Sequence, residues 1–219
     1  MRHDLGILFL HHDVDAVTRA NLASIRRQHP RTTIVTMSAG KSFRGGYELA
    51  ATPEVAQAHA RNIRRGSDWL VCSWFLQKQE RCDRWWIVEW DTYCRVSARE
   101  YYQAVWDFPF VASSVRLPQR EPEWAWFRAA GELPAAYQPY ALGAVPFLYL
   151  LTERALERIC RRYLREPLLA GNAELRFATV ANACGLPPCG FSPPHDQITW
   201  IECRPTRRRT IFHPVKRLG

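Results

Sequence analysis

The chain has 219 residues, of which 47% are hydrophobic and 12% aromatic, with nine Trp. This composition excludes intrinsic disorder, and the length is enough to bury a core without disulfide or metal staples. Seven Cys without a C-x-x-C pair exclude a zinc ribbon and a disulfide framework, while a net charge of +9 points to anionic partners without choosing among nucleic acid, acidic lipid and phosphorylated sugar.

Met1-Arg2-His3-Asp4 leads straight into a strand-like run and lacks the apolar core and cleavage site of a signal peptide. The longest apolar run, Ala141 to Leu151, falls short of the ~20 residues a spanning helix needs. A cytoplasmic protein is expected, with peripheral contact at the inner face of the membrane as the variant that the basic character suggests.

Leu5 to Leu10 reads as a buried first strand that ends in His11-His12-Asp13-Val14-Asp15. Ligands of α/β folds bind at the carboxyl ends of strands, so His12 and Asp13 are candidates for contact with a nucleotide or metal, the competing role being a polar loop in which Asp15 caps the next helix. Residues 16–28 form that helix, Pro30 stops it, and Thr32 to Met37 is a second strand rich in β-branched residues. Strand, helix, strand implies a parallel pair. Ser38-Ala39-Gly40-Lys41-Ser42 resembles a phosphate loop only in part, because its first Gly would fall at Val35; Ser38 remains a donor-binding candidate. Phe43 to Tyr47 reads as a loop, Pro53 to Arg65 as a helix, and Ser67 as the cap of another that carries Asp68 in its first turn.

The stretch Trp85-Trp86-Ile87-Val88-Glu89-Trp90-Asp91-Thr92-Tyr93-Cys94 is the chemical centre of the chain. Aromatic and β-branched residues favour an extended backbone, on which Glu89 and Asp91 point to one side and Trp90 to the other. Two carboxylates so placed suit one hard divalent cation, and Mg2+ characteristically takes one or two carboxylates plus substrate phosphates. The competing role of such a pair is a solvated or Arg-paired turn.

Farther on, Ser97-Ala98-Arg99-Glu100 is a capping box, Phe108 to Val115 reads as a strand, and residues 116–140, with four Pro around Trp124 and Trp126, read as a long loop or lid. Thr152 to Arg165 is amphipathic: Leu156, Ile159, Cys160 and Tyr163 share one face, and Arg154, Arg158, Arg161, Arg162 and Arg165 the other. Glu174 opens a helix over 175–183, Gln197 to Glu202 reads as a strand, and the chain closes on Phe212-His213-Pro214-Val215-Lys216 after a basic run, Arg204 to Arg209.

The order of these parts resembles the GT-A family of nucleotide-sugar glycosyltransferases: a β1 loop, a βαβ unit, an acid-x-acid strand tip, Leu142-Gly143-Ala144-Val145-Pro146-Phe147-Leu148 before Thr152-Glu153-Arg154-Ala155-Leu156, an acid after Asn172, and a late His. The ending is similar to the His-Pro-Val-Lys of a bacterial uncharacterised glycosyltransferase-like group. The resemblance implies a single GT-A-like α/β domain over 1–219 with a mostly parallel central sheet flanked by helices, residues 1–95 forming the nucleotide-donor half and 96–219 the acceptor half with a metal-binding tail. It further implies Mn2+ or Mg2+ on Glu89, Asp91 and His213, although Glu at the first acidic position departs from the family's usual Asp. Glu174 would be the base of an inverting transfer, and His12, Asp13, Ser38, Asp68, Trp90 and Lys216 would contact the donor.

A metal-dependent glycosyltransferase with a nucleotide-sugar donor and an acceptor of unknown, anionic or lipid-linked kind is therefore expected. Nucleic acid is not the expected partner. The alternatives are a basic module that binds nucleic acid or anionic surfaces, and a non-catalytic nucleotide binder of the same fold.

Overall fold

The computed structural model describes residues 3–38, 43–44, 46–48, 67–78, 80–144, 148–166, 171–191, 197–198, 202–208 and 210–217. Its centre is a seven-stranded sheet built from β1 (His3–His11), β2 (Thr33–Ser38), β3 (Tyr47–Glu48), β4 (Cys82–Glu89), β6 (Phe110–Ala112), β9 (Leu148–Thr152) and β10 (Cys189–Gly190), in the order β10-β6-β9-β4-β1-β2-β3. Every pairing is parallel except those of β9, which runs antiparallel between β4 and β6. The protein is thus α/β with a mostly parallel central sheet, as expected, and one sheet draws strands from both halves of the chain. Two small sheets flank it, one of β5 (Tyr93–Cys94), β11 (Gln197–Ile198) and β12 (Ile211–His213), the other of β7 (Val115–Arg116) and β8 (Gly143–Ala144).

The period of two along β4 explains why both faces must be covered. Trp85 and Ile87 join the core on one face with Trp69, Trp74, Phe75, Leu156 and Phe177, whereas Trp86 and Val88 join the core on the other with Leu22, Ile25, Tyr102 and Ile211. The first face is covered by α2 (Ser67–Gln77), α4 (Glu153–Arg165) and α5 (Ala173–Ala183); the second by α1 (Ala16–Gln28) and the single turn α3 (Ala98–Tyr101). Gly6 on β1 stands opposite Trp85, and a Cβ there would meet the indole at 2.3 Å, so only glycine lets that ring lie flat against the neighbouring strand.

Several local readings match the described backbone. Asp15 caps α1 by accepting from Thr18 N at 2.7 Å, Thr152 caps α4, and Leu156, Ile159, Cys160 and Tyr163 are the buried face of that helix. The expected helix over 53–65 lies outside the described residues, as do Ala39 to Ser42 and Val145 to Phe147. Others change. The strand expected over 108–115 shortens to β6, because Ser113 and Ser114 turn the chain, Ser114 with φ +45°, into β7. Residues 116–140 are not an open loop: 3-10 segments cover Ala125–Glu132 and Gln138–Tyr140, with Phe127, Leu133 and Tyr137 in the core.

The second face is closed by a buried histidine. His29 Nδ1 lies 2.8 Å from Ile25 O and Nε2 accepts from Ala98 N at 2.8 Å, a pairing that requires the neutral ring with its proton on Nδ1. Burial pushes its pKa below the usual value, opposed by the bond to Ile25. The unfolded chain then binds the proton more readily, so this contribution is complete above the unfolded pKa of about 6.5 and is lost as pH falls through it. Measured by urea unfolding, the stability advantage of wild type over His29→Gln should shrink between about pH 7.5 and about pH 5.5; a constant difference would remove His29 from the account. His29→Ala, which orphans the Ala98 N–H, should cost about 1–3 kcal/mol at neutral pH.

Candidate metal centre

The chain leaves β1 for β2 through α1 on one face and comes back to β4, on the other side of β1, through α2 on the opposite face. The carboxyl ends of β1 and β4 therefore border a topological switch point, where open α/β sheets bind ligands. Leu10 is in register with Glu89, which brings His11, His12 and Asp13 beside Glu89, Trp90 and Asp91.

The two acids converge by a different route from the one their spacing suggests. Strand β4 ends at Glu89, and Trp90-Asp91 form a turn closed by Thr92 N donating to Glu89 O at 3.1 Å. The turn, and not the strand pleat, brings Asp91 round. Past it, β5 pairs antiparallel with β12, Tyr93 opposite Phe212 and Cys94 opposite Ile211, and this delivers His213 to the acids. Val215 N donates to Asp91 O at 2.7 Å and ties the tail to the turn.

His213 Nε2 lies 3.1 Å from Asp91 Oδ1 and 3.5 Å from Glu89 Oε2, and ligand atoms of all three residues lie within 4.8 Å of one another. The Asp91 contact is close but poorly aligned for a hydrogen bond, so His213 Nε2 and Asp91 Oδ1 are buried polar atoms held mainly by their opposite charges. Buried donors and acceptors are rarely left in this way without a ligand. Side-chain exposure falls from 25% at Glu89 to 7% at Asp91 and 4% at His213, so the cluster opens to solvent past Glu89. Burial alone would lower the His213 pKa, but Asp91 and Glu89 outweigh it and lift the imidazole to about 9, leaving a positive charge where the acids demand one. Two carboxylate oxygens and an imidazole nitrogen converging on one point can hold a metal ion.

Glu174 approaches the same edge from the first turn of α5, whose cap is Asn172 Oδ1 accepting from Leu175 N at 3.2 Å. It is half-buried, and its carboxyl is pushed up to about 7, first by burial and then by the negative charge of Glu89. The same two acids, with Asp68, press on Tyr149, whose hydroxyl burial already holds well above its ordinary pKa.

The other candidates fall into three groups. His12 and Trp90 meet at the mouth, their rings edge to face at 4.8 Å, with exposed Asp13 beside them accepting from Val14 N at 2.7 Å. Ser38 is buried at the end of β2 opposite His11, and Lys216 is exposed just past His213. Asp68 is a correction. It is completely buried, accepting on Oδ2 from Arg176 Nε at 2.8 Å and from Tyr163 Oη, and on Oδ1 from Arg176 Nη2 at 2.9 Å and Trp69 N at 3.1 Å. With both oxygens used twice it has nothing left for a donor, and its partner lies beyond the reach of local sequence reasoning.

Sequence reasoning also passed over His11, Asn21 and Arg176. His11 is buried with Nδ1 3.2 Å from Asp13 O and its ring edge-on to Phe43, and burial lowers its pKa. The available signal for Asn21 was a polar residue on the inner stripe of α1 beside Leu22 and Ile25. The arginines of α4 are exposed as expected, but Arg161 pairs with Glu157 at 2.8 Å and Arg162 with Glu166 at 2.9 Å, which reduces the net charge of the stripe. No helix among the described residues is long and apolar enough to cross a membrane. No known family model matches the sequence, and no curated protein matches it significantly.

The contrast between buried and exposed pairs is measurable. Asp68→Ala strands the Arg176 guanidinium and should cost about 3–5 kcal/mol of stability, whereas Arg161→Ala should cost no more than about 0.5 kcal/mol. Denaturant midpoints of the two variants check this.

Proposed function

We propose that the protein is a metal-dependent glycosyltransferase of the GT-A kind, moving a sugar from a nucleotide-diphosphate donor to an acceptor with inversion. The observation that carries the reading is the Glu89–Asp91–His213 cluster at the switch point, with the half-buried Glu174 carboxyl near enough to feel the charge of Glu89. An antiparallel strand inside an otherwise parallel sheet, and a turn of acid-x-acid at the tip of β4, are in keeping with it.

In this reading Glu89, Asp91 and His213 would hold Mn2+ or Mg2+, which would supply positive charge beside the donor diphosphate. The exposed ammonium of Lys216 adds to that stabilisation from the tail. His12, Trp90, Asp13 and Ser38 lie on the nucleotide side, where the edge-to-face ring pair offers an apolar surface to a base. Glu174 accepts the acceptor's hydroxyl proton as that oxygen bonds the anomeric carbon; the bond from this carbon to the diphosphate oxygen breaks, and its electron pair leaves with the nucleoside diphosphate. Attack from the face opposite the leaving group inverts the centre. The exposed arginines of α4 favour an anionic or lipid-linked acceptor, with the enzyme acting in the cytoplasm at the inner face of the membrane.

Thermal unfolding with a panel of nucleoside diphosphates and nucleotide sugars, with and without Mn2+, tests the reading. One nucleotide should raise the midpoint only with metal present, and Asp91→Ala should abolish the shift. Shifts from no nucleotide, together with salt-sensitive binding of single-stranded nucleic acid that survives Asp91→Ala, would replace the transferase by a basic binding module. With the donor so identified, the rate should rise with pH through a value at or below about 7, because a bound cation draws the Glu174 carboxyl down, and Glu174→Gln should lower kcat by about 100-fold or more with donor binding intact.

A further inference from the structure

Asn21 lies in the second turn of α1 and is completely buried. Its side-chain nitrogen donates to Trp90 O at 3.0 Å and to Val215 O at 3.0 Å, partners 69 and 194 residues away in sequence. Because both neighbours are carbonyl oxygens, only the NH2 end of the carboxamide can face them, with one proton for each. The carboxamide oxygen is buried without a hydrogen bond, so what the side chain contributes rests on its two donors.

The two acceptors are not arbitrary carbonyls. Trp90 stands between Glu89 and Asp91, and Val215 is two residues past His213. One carboxamide therefore clamps together the two chain segments that deliver all three candidate ligands. The strand pairing of β5 with β12 brings these segments near each other, but it ends at Tyr93 and Phe212, short of the ligands on either side. Beyond that point the segments are joined by the bond from Val215 N to Asp91 O and by Asn21.

We infer that Asn21 is a positioning residue of the metal centre, setting the separation between the acid turn and the histidine tail and hence the bite offered to a cation. The inference rests on the metal reading of Glu89, Asp91 and His213. Groups that orient metal ligands characteristically change metal affinity by about 10–100-fold when removed. Ser24, one turn farther along α1, provides an internal comparison. It is buried on the same face, its Oγ accepts from Cys94 N at 2.9 Å and donates to Asn21 O at 2.7 Å, and it anchors the same helix to the same region without bonding a carbonyl that flanks a ligand.

The test is a titration with Mn2+ alone, following free Mn2+ by electron paramagnetic resonance, on wild type, Asn21→Leu, Asn21→Ser and Ser24→Ala, with the unfolding midpoint of each measured in parallel. Asn21→Leu keeps the branched shape with somewhat larger volume and removes both donors; its Kd for Mn2+ should weaken by about 10–100-fold. Asn21→Ser, which keeps one short donor and fills less space, should fold where the leucine variant fails and should also bind more weakly than wild type. Ser24→Ala should lose stability and keep the wild-type Kd. Wild-type affinity in a folded Asn21→Leu or Asn21→Ser would overturn the inference, as would an equal loss of affinity in Ser24→Ala, which would reduce Asn21 to a packing residue. Folded wild type that takes up no Mn2+ gives a different signature: the metal reading itself falls, and the role of Asn21 with it.

Discussion

Negative charge gathered at the edge of a buried sheet must be compensated, and the arrangement of this edge follows from that requirement. Glu89 and Asp91 lie at the tip of β4, and the charge of Glu89, with a smaller push from Asp68, adds to burial in lifting the Glu174 carboxyl toward neutrality. His213 answers the repulsion with an imidazolium held between the first two acids. A divalent cation would take over that role and displace the imidazole proton, since a ligating histidine must be neutral. The cluster would thus have two internally consistent charge states, one stabilised by a proton and the other by a cation.

A second buried charge pair supports the first at a distance. Arg176 is on α5 together with Glu174, and its guanidinium joins Asp68, Tyr163 and Gly171 O, so α2, α4 and the loop before α5 share one hydrogen-bonded knot. The knot fixes the start of α5, the turn that carries Glu174. Glu153 does similar work at the opposite end of α4, accepting from Cys82 N, Trp85 Nε1, Lys78 and Arg81 and so pinning the helix to the base of β4. Between these knots lies the aromatic core of α2 and β4, which holds the acid turn against a rigid support.

How much of this could be read from residues alone depends on range. The βαβ start, the caps at Asp15 and Thr152, the buried face of α4 and the acidic tip of β4 were legible, because each is encoded within a few residues by periodicity or spacing. The cluster of Glu89, Asp91 and His213 was legible only as an implication of a resemblance. The manner of convergence was misread, since a turn at Trp90 replaces the extended pleat. Asp68 was misplaced for a related reason: its partners Tyr163 and Arg176 are 95 and 108 residues away, and no local pattern announces a bond of that span. Asn21 is the same case, its meaning set by two carbonyl groups that only the tertiary fold brings to it.

The position of His213 has a consequence for how the molecule comes into being. Glu89 ends a strand that can join β1 early and Asp91 lies in the turn just after it, but the third residue of the cluster arrives on β12, after all seven strands of the central sheet. Chains emerge from the ribosome at about 5–20 residues per second, so for several seconds a nascent chain displays the acid turn without its histidine. During that interval the cluster that could hold a cation has two of its three residues. The full set of three side chains exists only once β12 has paired with β5, so loss of β12 would remove the imidazole together with the buried Ile211 and Phe212.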